Sequence, residues 1–96
     1  LLQHQPSYDL IVEALHNTSP QFQKSRAAAA IALGNLQAIP AIPLLKQTLD
    51  TPIFDLKYAC LLALEQLGEN CWSEVVDDQN LLIKAKANYK LNSNVQ

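Results

Sequence analysis

The sequence predicts an all-α chain, a short stack of paired helices of the α-solenoid type. Three observations lead there. Apolar residues recur at the helical period and nowhere alternate at period two for long. One stretch repeats another at a fixed offset. Pro, Ser and Thr punctuate the chain where helices would begin. Composition agrees, because Ala and Leu are strong helix formers and abound here. Two glycines and five prolines are few for a β-domain built on tight turns.

From Ser7 to His16, the residues Tyr8, Ile11 and Leu15 share one helical face, and Ser7 is placed to cap it. Thr18-Ser19-Pro20 then breaks the chain and offers a cap before a proline at the first helical position. A second helix follows from Phe22 to Leu36, with Phe22, Ala29, Leu33 and Leu36 inward. Pro40 and Pro43 open a third helix, where a missing N–H costs little because first-turn donors have no helical partner. Its inward residues are Ile42, Leu45 and Leu49. Thr51-Pro52 repeats the earlier break and starts a fourth helix from Ile53 to Leu67. Its stripe is Leu56, Cys60, Ala63, Leu64 and Leu67, and Gly68 suits a left-handed C-cap. Cys71-Trp72-x-x-Val75-Val76 reads as a short helix, Asp77 to Asn80 as a turn, and Leu81 to Leu91 as a last helix with Leu82, Ala85 and Tyr89 inward. Trp72 is expected to fill the seam between the second and third units.

The segment Arg26 to Leu36 aligns with Lys57 to Leu67 at an offset of 31, with the basic residue, Ala28/Ala59, Ala32-Leu33/Ala63-Leu64 and the final Leu coinciding. Pro20-x-Phe22 matches Pro52-x-Phe54 at an offset of 32. Residues 1–96 are therefore expected to form a single repeat domain, with repeats at about 7–36, 38–67 and 71–91 and a tail at 92–96. The chain begins at Leu1 rather than Met, and a piece of a longer protein is expected.

Charge and composition narrow the function. Seven basic against nine acidic residues, a net charge of −2, give no electrostatic reason for nucleic acid or an anionic membrane as partner. Two cysteines are too few for a disulfide framework and suit a reducing, cytoplasmic compartment. No apolar run approaches the ~20 residues that span a bilayer, and no signal peptide is visible. No Gly-rich loop for a nucleotide phosphate and no nucleophile–base–acid set is recognisable. Cys60 and Cys71 are eleven apart, which is neither a zinc nor a redox spacing. Cys60 falls in the apolar stripe, whereas Cys71 lies nearer a turn with nothing basic beside it to lower its pKa. His4 and His16 read as solvent-exposed. The expectation is a non-enzyme with no cofactor and no metal.

One face is apolar where a polar one would be normal. Opposite the stripe of the fourth helix lie Tyr58, Leu61, Leu62 and Glu65. The equivalent positions of the second helix are Ala27, Ala30, Ile31 and Gly34. All but Tyr58 and Glu65 are apolar or glycine. Packing between adjacent repeats accounts for such a wide arc. So does a docking patch for a partner's helix or loop, with Tyr58 as anchor and small residues admitting a close backbone. Lys84, Lys86 and Lys90 near the end of the last helix favour its negative pole.

The pattern Pro-x-Phe, Arg26-x-Ala-Ala-x-x-Ala-Leu-Gly34-Asn-Leu36 and Ala-Ile-Pro-x-Leu-x-x-x-Leu49-Asp50 resembles HEAT repeats, in particular the phycobilisome-lyase HEAT-like group. The resemblance covers about residues 8 to 68. It implies a right-handed solenoid with first helices outside and second helices inside. It also implies an ion pair or cap between Asp50 and either Arg26 or Lys57, while Asn17 or Ser19 stands where the first unit should carry an acid. Such proteins include adaptors, subunits of phycobilin lyases and phycobilisome-degradation proteins. Deoxyhypusine hydroxylases share the architecture and bind iron through His-Glu pairs; here His4 and His16 precede Gln5 and Asn17, so that chemistry is not supported. Taken with the residues, the resemblance implies a scaffold or adaptor that binds another protein through its second helices. A component of a chromophore-handling protein is the alternative. A third is a structural segment of a longer solenoid, self-associating through its exposed ends.

Overall fold

A computed structural model describes residues 8–16, 21 and 23–93. Five α-helices are found there: α1 (Tyr8–His16), α2 (Gln23–Asn35), α3 (Ile42–Thr48), α4 (Phe54–Gln66) and α5 (Leu81–Ser93). Short 3-10 turns at Ile39–Ala41 and Trp72–Val75 precede α3 and replace the expected first helix of the third unit. No strand occurs among the described residues. The caps expected at Ser7 and at Thr18-Ser19-Pro20, and the inward Phe22, lie outside the described residues.

The second helices form the spine. α1 packs on α2, α2 on α4 and α3 on α4, while α5 packs on the Trp72–Val75 turn. Ile11, Leu15, Leu33, Leu45, Leu56, Leu64 and Leu67 fill the core between first and second helices. Burying each such leucine contributes about 1.5–3 kcal/mol, so the α1–α2 and α3–α4 pairs are held by the apolar stripes the periodicity picks out. Four stripe positions differ. Tyr8 sits at the edge of α1, Leu36 follows the last residue of α2 and is 40% exposed, and Ile42 and Leu49 are half-buried.

Both central helices end alike. Gly68 has φ +91°, with its N–H donating to Glu65 O and Glu69 N–H to Leu64 O. Gln37 occupies the same position one repeat earlier at φ +57°, with its N–H donating to Gly34 O and Ala38 N–H to Leu33 O. This is a Schellman closure in each case, which satisfies carbonyls left over at the helix end. Helix starts agree less well with expectation. Pro43 lies in the first turn of α3 as read from the sequence, but Pro52 stays outside α4. Ile53 is the N-cap, and the Thr51 hydroxyl accepts the Ile53 N–H at 3.2 Å just before the helix begins.

The third unit departs furthest. Leu82, Ala85 and Tyr89 were expected inward, yet all three are exposed, Leu82 and Tyr89 by 67% and 66%. Ile83 and Ala87 are buried in their place. The register is fixed by Asn80, whose Oδ1 accepts the N–H groups of Leu82 and Ile83 and so caps α5. It is fixed from the side by Trp72, which fills the space a full first helix would occupy.

Candidate functional site

Helices α2 and α4 run side by side in the same direction. Asn35 and Gln66 join their C-terminal ends, Gln66 Nε2 donating to Asn35 Oδ1 at 3.0 Å. The contact is close because the interface is made of small residues. A Cβ built on Gly34 would meet Ala63 Cα at 2.8 Å and Gln66 Oε1 at 2.7 Å. Gly34 and Ala30 are therefore consumed by α4, and Leu61, fully buried, by the core. These three of the eight expected partner-binding residues are packing residues, because the close backbone approach that small side chains allow is made within the chain.

The other five reach the surface. Ala27 and Ile31 of α2 face Tyr58 and Leu62 of α4 across a groove of about 500 Å³. Ala28, Ala59 and Ile53 complete its apolar lining, and Lys24 and Asp55 stand at the end where both helices begin. Ile31 is 43% exposed. Beyond it a shallower hollow of about 380 Å³ continues past Leu62 to Glu65 and Gln66. Ala28, Ile53, Ala59, Lys24 and Asp55 escape a reading by helical face alone. The offset of 31, which pairs Lys24 with Asp55 and Ala28 with Ala59, carries the signal that finds four of them.

Tyr58 is half-buried rather than a free anchor. Its ring stacks on Phe54 one turn earlier at 5.5 Å and meets the Trp72 ring edge-on at 6.1 Å. Trp72 is buried between α4 and α5, with Lys90 Nζ 5.8 Å from the ring centroid. Its indole N–H has no hydrogen-bond acceptor among the described residues. Glu65, on the outer side of the same seam, holds Lys90 at 3.0 Å.

The basic residues that open the second helices serve as braces, but not with Asp50. Arg26 Nε donates to Leu15 O at 2.7 Å and so closes the C-terminal end of α1. Lys57 pairs with Asp78, both side chains largely buried. That pairing, with a backbone N–H from Asn80, holds the Asp78 carboxyl below its ordinary pKa. Among the described residues no ion pair joins Asp50 to Arg26 or Lys57. Asp50 lies between them instead, lining one hollow with Arg26 and another with Lys57. Arg26 thus braces the helix before its own and Lys57 the segment after its own; the latter partner was hidden in the sequence because Asp77 and Asp78 stand together in the turn.

Neither cysteine is placed for chemistry. Cys71, read from the sequence as lying nearer a turn, is buried beside Trp72, and Cys60 is fully buried. Burial pushes the Cys60 thiol up to about 12 and raises that of Cys71 as well. Of the two histidines, His16 is exposed at the end of α1, and His4 lies outside the described residues. Among the described residues no group of three or more His, Cys, Asp or Glu side chains could hold a metal ion, and no helix is long and apolar enough to cross a membrane.

Comparison with known proteins agrees with this architecture. Residues 25–51, from α2 through α3, match the PBS lyase HEAT-like repeat. Over 88 residues the chain is 54% identical to the uncharacterized phycocyanin operon protein Y of Pseudanabaena tenuis (strain PCC 7409). That match covers 91% of this chain and 21% of the relative, so the chain spans about a fifth of that protein's length. No solved structure matches. Residues 25–51 thus match a PBS lyase HEAT-like repeat, and the helix pairs stacked around them are consistent with a small HEAT-like α-solenoid.

Proposed function

We propose that the chain is a non-catalytic protein-docking module of a phycobilisome-related protein, and that it binds its partner through the α2–α4 groove. The observation that carries this reading is the groove itself: Ala27, Ile31, Tyr58 and Leu62 keep apolar surface in water although the helices beneath them are already packed. A closed core does not need Ile31 outside it. The rigid floor, with Gly34 against Ala63, holds the walls at fixed spacing and reduces the ordering cost of binding. The likeness to a phycocyanin operon protein supports a partner within that light-harvesting system.

The test captures purified phycobilisome proteins, phycocyanin included, on the immobilised chain. Wild type is compared with Ala27→Arg and Ile31→Glu, each first shown by circular dichroism to keep its helicity. Tyr58 is left intact because it packs against Phe54 and Trp72. Specific capture lost in both variants is the expected result. Equal capture by all three proteins would sink the groove.

A second reading rests on the repeat's kinship with PBS lyase: the same groove holds part of a chromophore rather than a polypeptide. A bilin-induced absorbance change with the isolated chain would favour it, and an unchanged bilin spectrum would exclude it.

A further inference from the structure

The joint between the second and third units is built unlike the rest of the stack. α2 and α4 meet helix to helix through Gly34 and Ala63, whereas α5 packs on the Trp72–Val75 turn and does not pack on α4 in that way. The third unit is tied to α3 and α4 by the Trp72 ring and by charge. Every ion pair among the described residues lies here: Lys46 of α3 with Glu69 at 2.8 Å, Lys57 with Asp78, and Lys90 with Glu65 at 3.0 Å. The first and last are partly exposed, and pairs open to water hold weakly. Trp72 is buried, yet its indole N–H is left without an acceptor among the described residues. An unpaired buried donor opposes closure, because water satisfies it as soon as the joint opens.

Within itself the third unit is well tied. Asn70 Oδ1 accepts the Trp72 backbone N–H, Asp78 Oδ2 accepts the Asn80 N–H, and Asn80 caps α5. Asn88 of α5 reaches back to Val76 O at 3.2 Å. Along the chain, Gly68 links this unit to α4, at φ +91° and with no atom of the described residues within 4 Å of where a side chain would begin. A glycine in open space can absorb a rotation there.

We propose that residues 69–93 open from α3 and α4 as one unit about Gly68, while the two leading helix pairs stay folded. The closed form predominates at neutral pH. Opening releases Tyr58 from Trp72 and Glu65 from Lys90, so the joint reaches two residues of the docking face. The proposal does not depend on what that face binds. α5 has 13 residues, too few to stay helical alone in water, so its amides exchange with solvent whenever the joint opens.

The experiment is residue-resolved amide hydrogen exchange of the whole chain, by NMR at neutral pH, in steps of urea below the unfolding transition. Asp78, Lys84 and Ala87 should share one opening free energy and one urea dependence, with an opening constant about tenfold or more above that of Leu33 and Leu64. Ile11→Val, a mild change remote from the joint, separates this opening from global unfolding. It should speed exchange at Leu33 several-fold and leave Lys84 and Ala87 unchanged, because α1 is folded whether the joint is open or closed. Asp78→Asn should speed Lys84 and Ala87 by about tenfold, since it leaves Lys57 without its partner. If the third unit exchanges no faster than Leu33 and Leu64, or if Ile11→Val speeds both alike, the chain opens only as a whole and the proposal is wrong. A graded rise from Lys84 toward Ser93 without urea dependence is fraying of a helix end, and overturns it too. So does a third unit unmoved by Asp78→Asn, because the ion pairs would then not hold the joint.

Discussion

Replacing Gly34 by alanine should destabilise this protein, although the same change in an exposed helix stabilises. Gly34 lies within α2, where alanine is favoured over glycine by about 1 kcal/mol on helix propensity alone. Here the new methyl would sit 2.8 Å from Ala63 Cα, against an ordinary carbon–carbon contact of about 3.5–4.0 Å. Gln66 can swing away at the cost of its hydrogen bond to Asn35, but the backbone of α4 cannot. The helices must part by roughly 0.7–1 Å, and a gap of that size forfeits a quarter to a half of each dispersion contact across the seam. Overpacking of this kind costs about 1–3 kcal/mol. Net of propensity, Gly34→Ala loses up to about 2 kcal/mol, and each 1 kcal/mol lowers the melting temperature by about 4–8 °C in a domain this small. Thermal and urea unfolding followed by circular dichroism read the change. Because the clash is with Ala63 Cα, adding Ala63→Gly should not restore stability. A Gly34→Ala variant more stable than wild type would refute the close approach and the repeat register built on it.

Three further outcomes follow from the geometry. Gln37→Gly should raise stability by about 0.5–1 kcal/mol in urea unfolding, since a left-handed residue with a Cβ is strained where Gly68 is not, less the small contribution of Gln37 Nε2 to Gly34 O. Asp78→Asn should lower stability at neutral pH by about 1–2 kcal/mol, the pair with Lys57 being partly buried. The depressed pKa of Asp78 makes that contribution full above the unfolded carboxylate value of about 3.9 and lost as pH falls through the folded one, so wild type and variant should converge below pH ~4; a constant gap would count against the pair. Cys60 and Cys71 should both resist thiol reagents in the native state and react on unfolding, and rapid native labelling of Cys71 would show the Trp72 seam to be open.

How far the sequence speaks depends on how regular the repeat is. In α4 the apolar stripe is dense and every expected inward residue is buried. The Ala-rich α2 has almost no polar side, so its two apolar faces are told apart only by what packs on them: Ala30 and Gly34 looked like surface and are seam. In α5 the bulky Leu82 and Tyr89 outweigh Ile83 and Ala87 in any periodicity, yet the helix is set by the Asn80 cap and the Trp72 wedge, neither of which has a period. The contrast at position 34 and its repeat equivalent, Glu65, marks the difference between the seams. Glycine closes the first helix to helix, and glutamate stands outside the second to hold Lys90, while Trp72 fills the space within.

The most direct test of the docking face compares two isoleucines exposed on different elements: Ile31 on α2 and Ile39 in the turn before α3. Binding of the captured phycobilisome protein would be titrated against Ile31→Glu and Ile39→Glu. The account predicts that Ile31→Glu weakens affinity by at least tenfold, about 1.4 kcal/mol, and that Ile39→Glu leaves it unchanged. Loss with Ile39→Glu and none with Ile31→Glu would place the partner elsewhere on the stack.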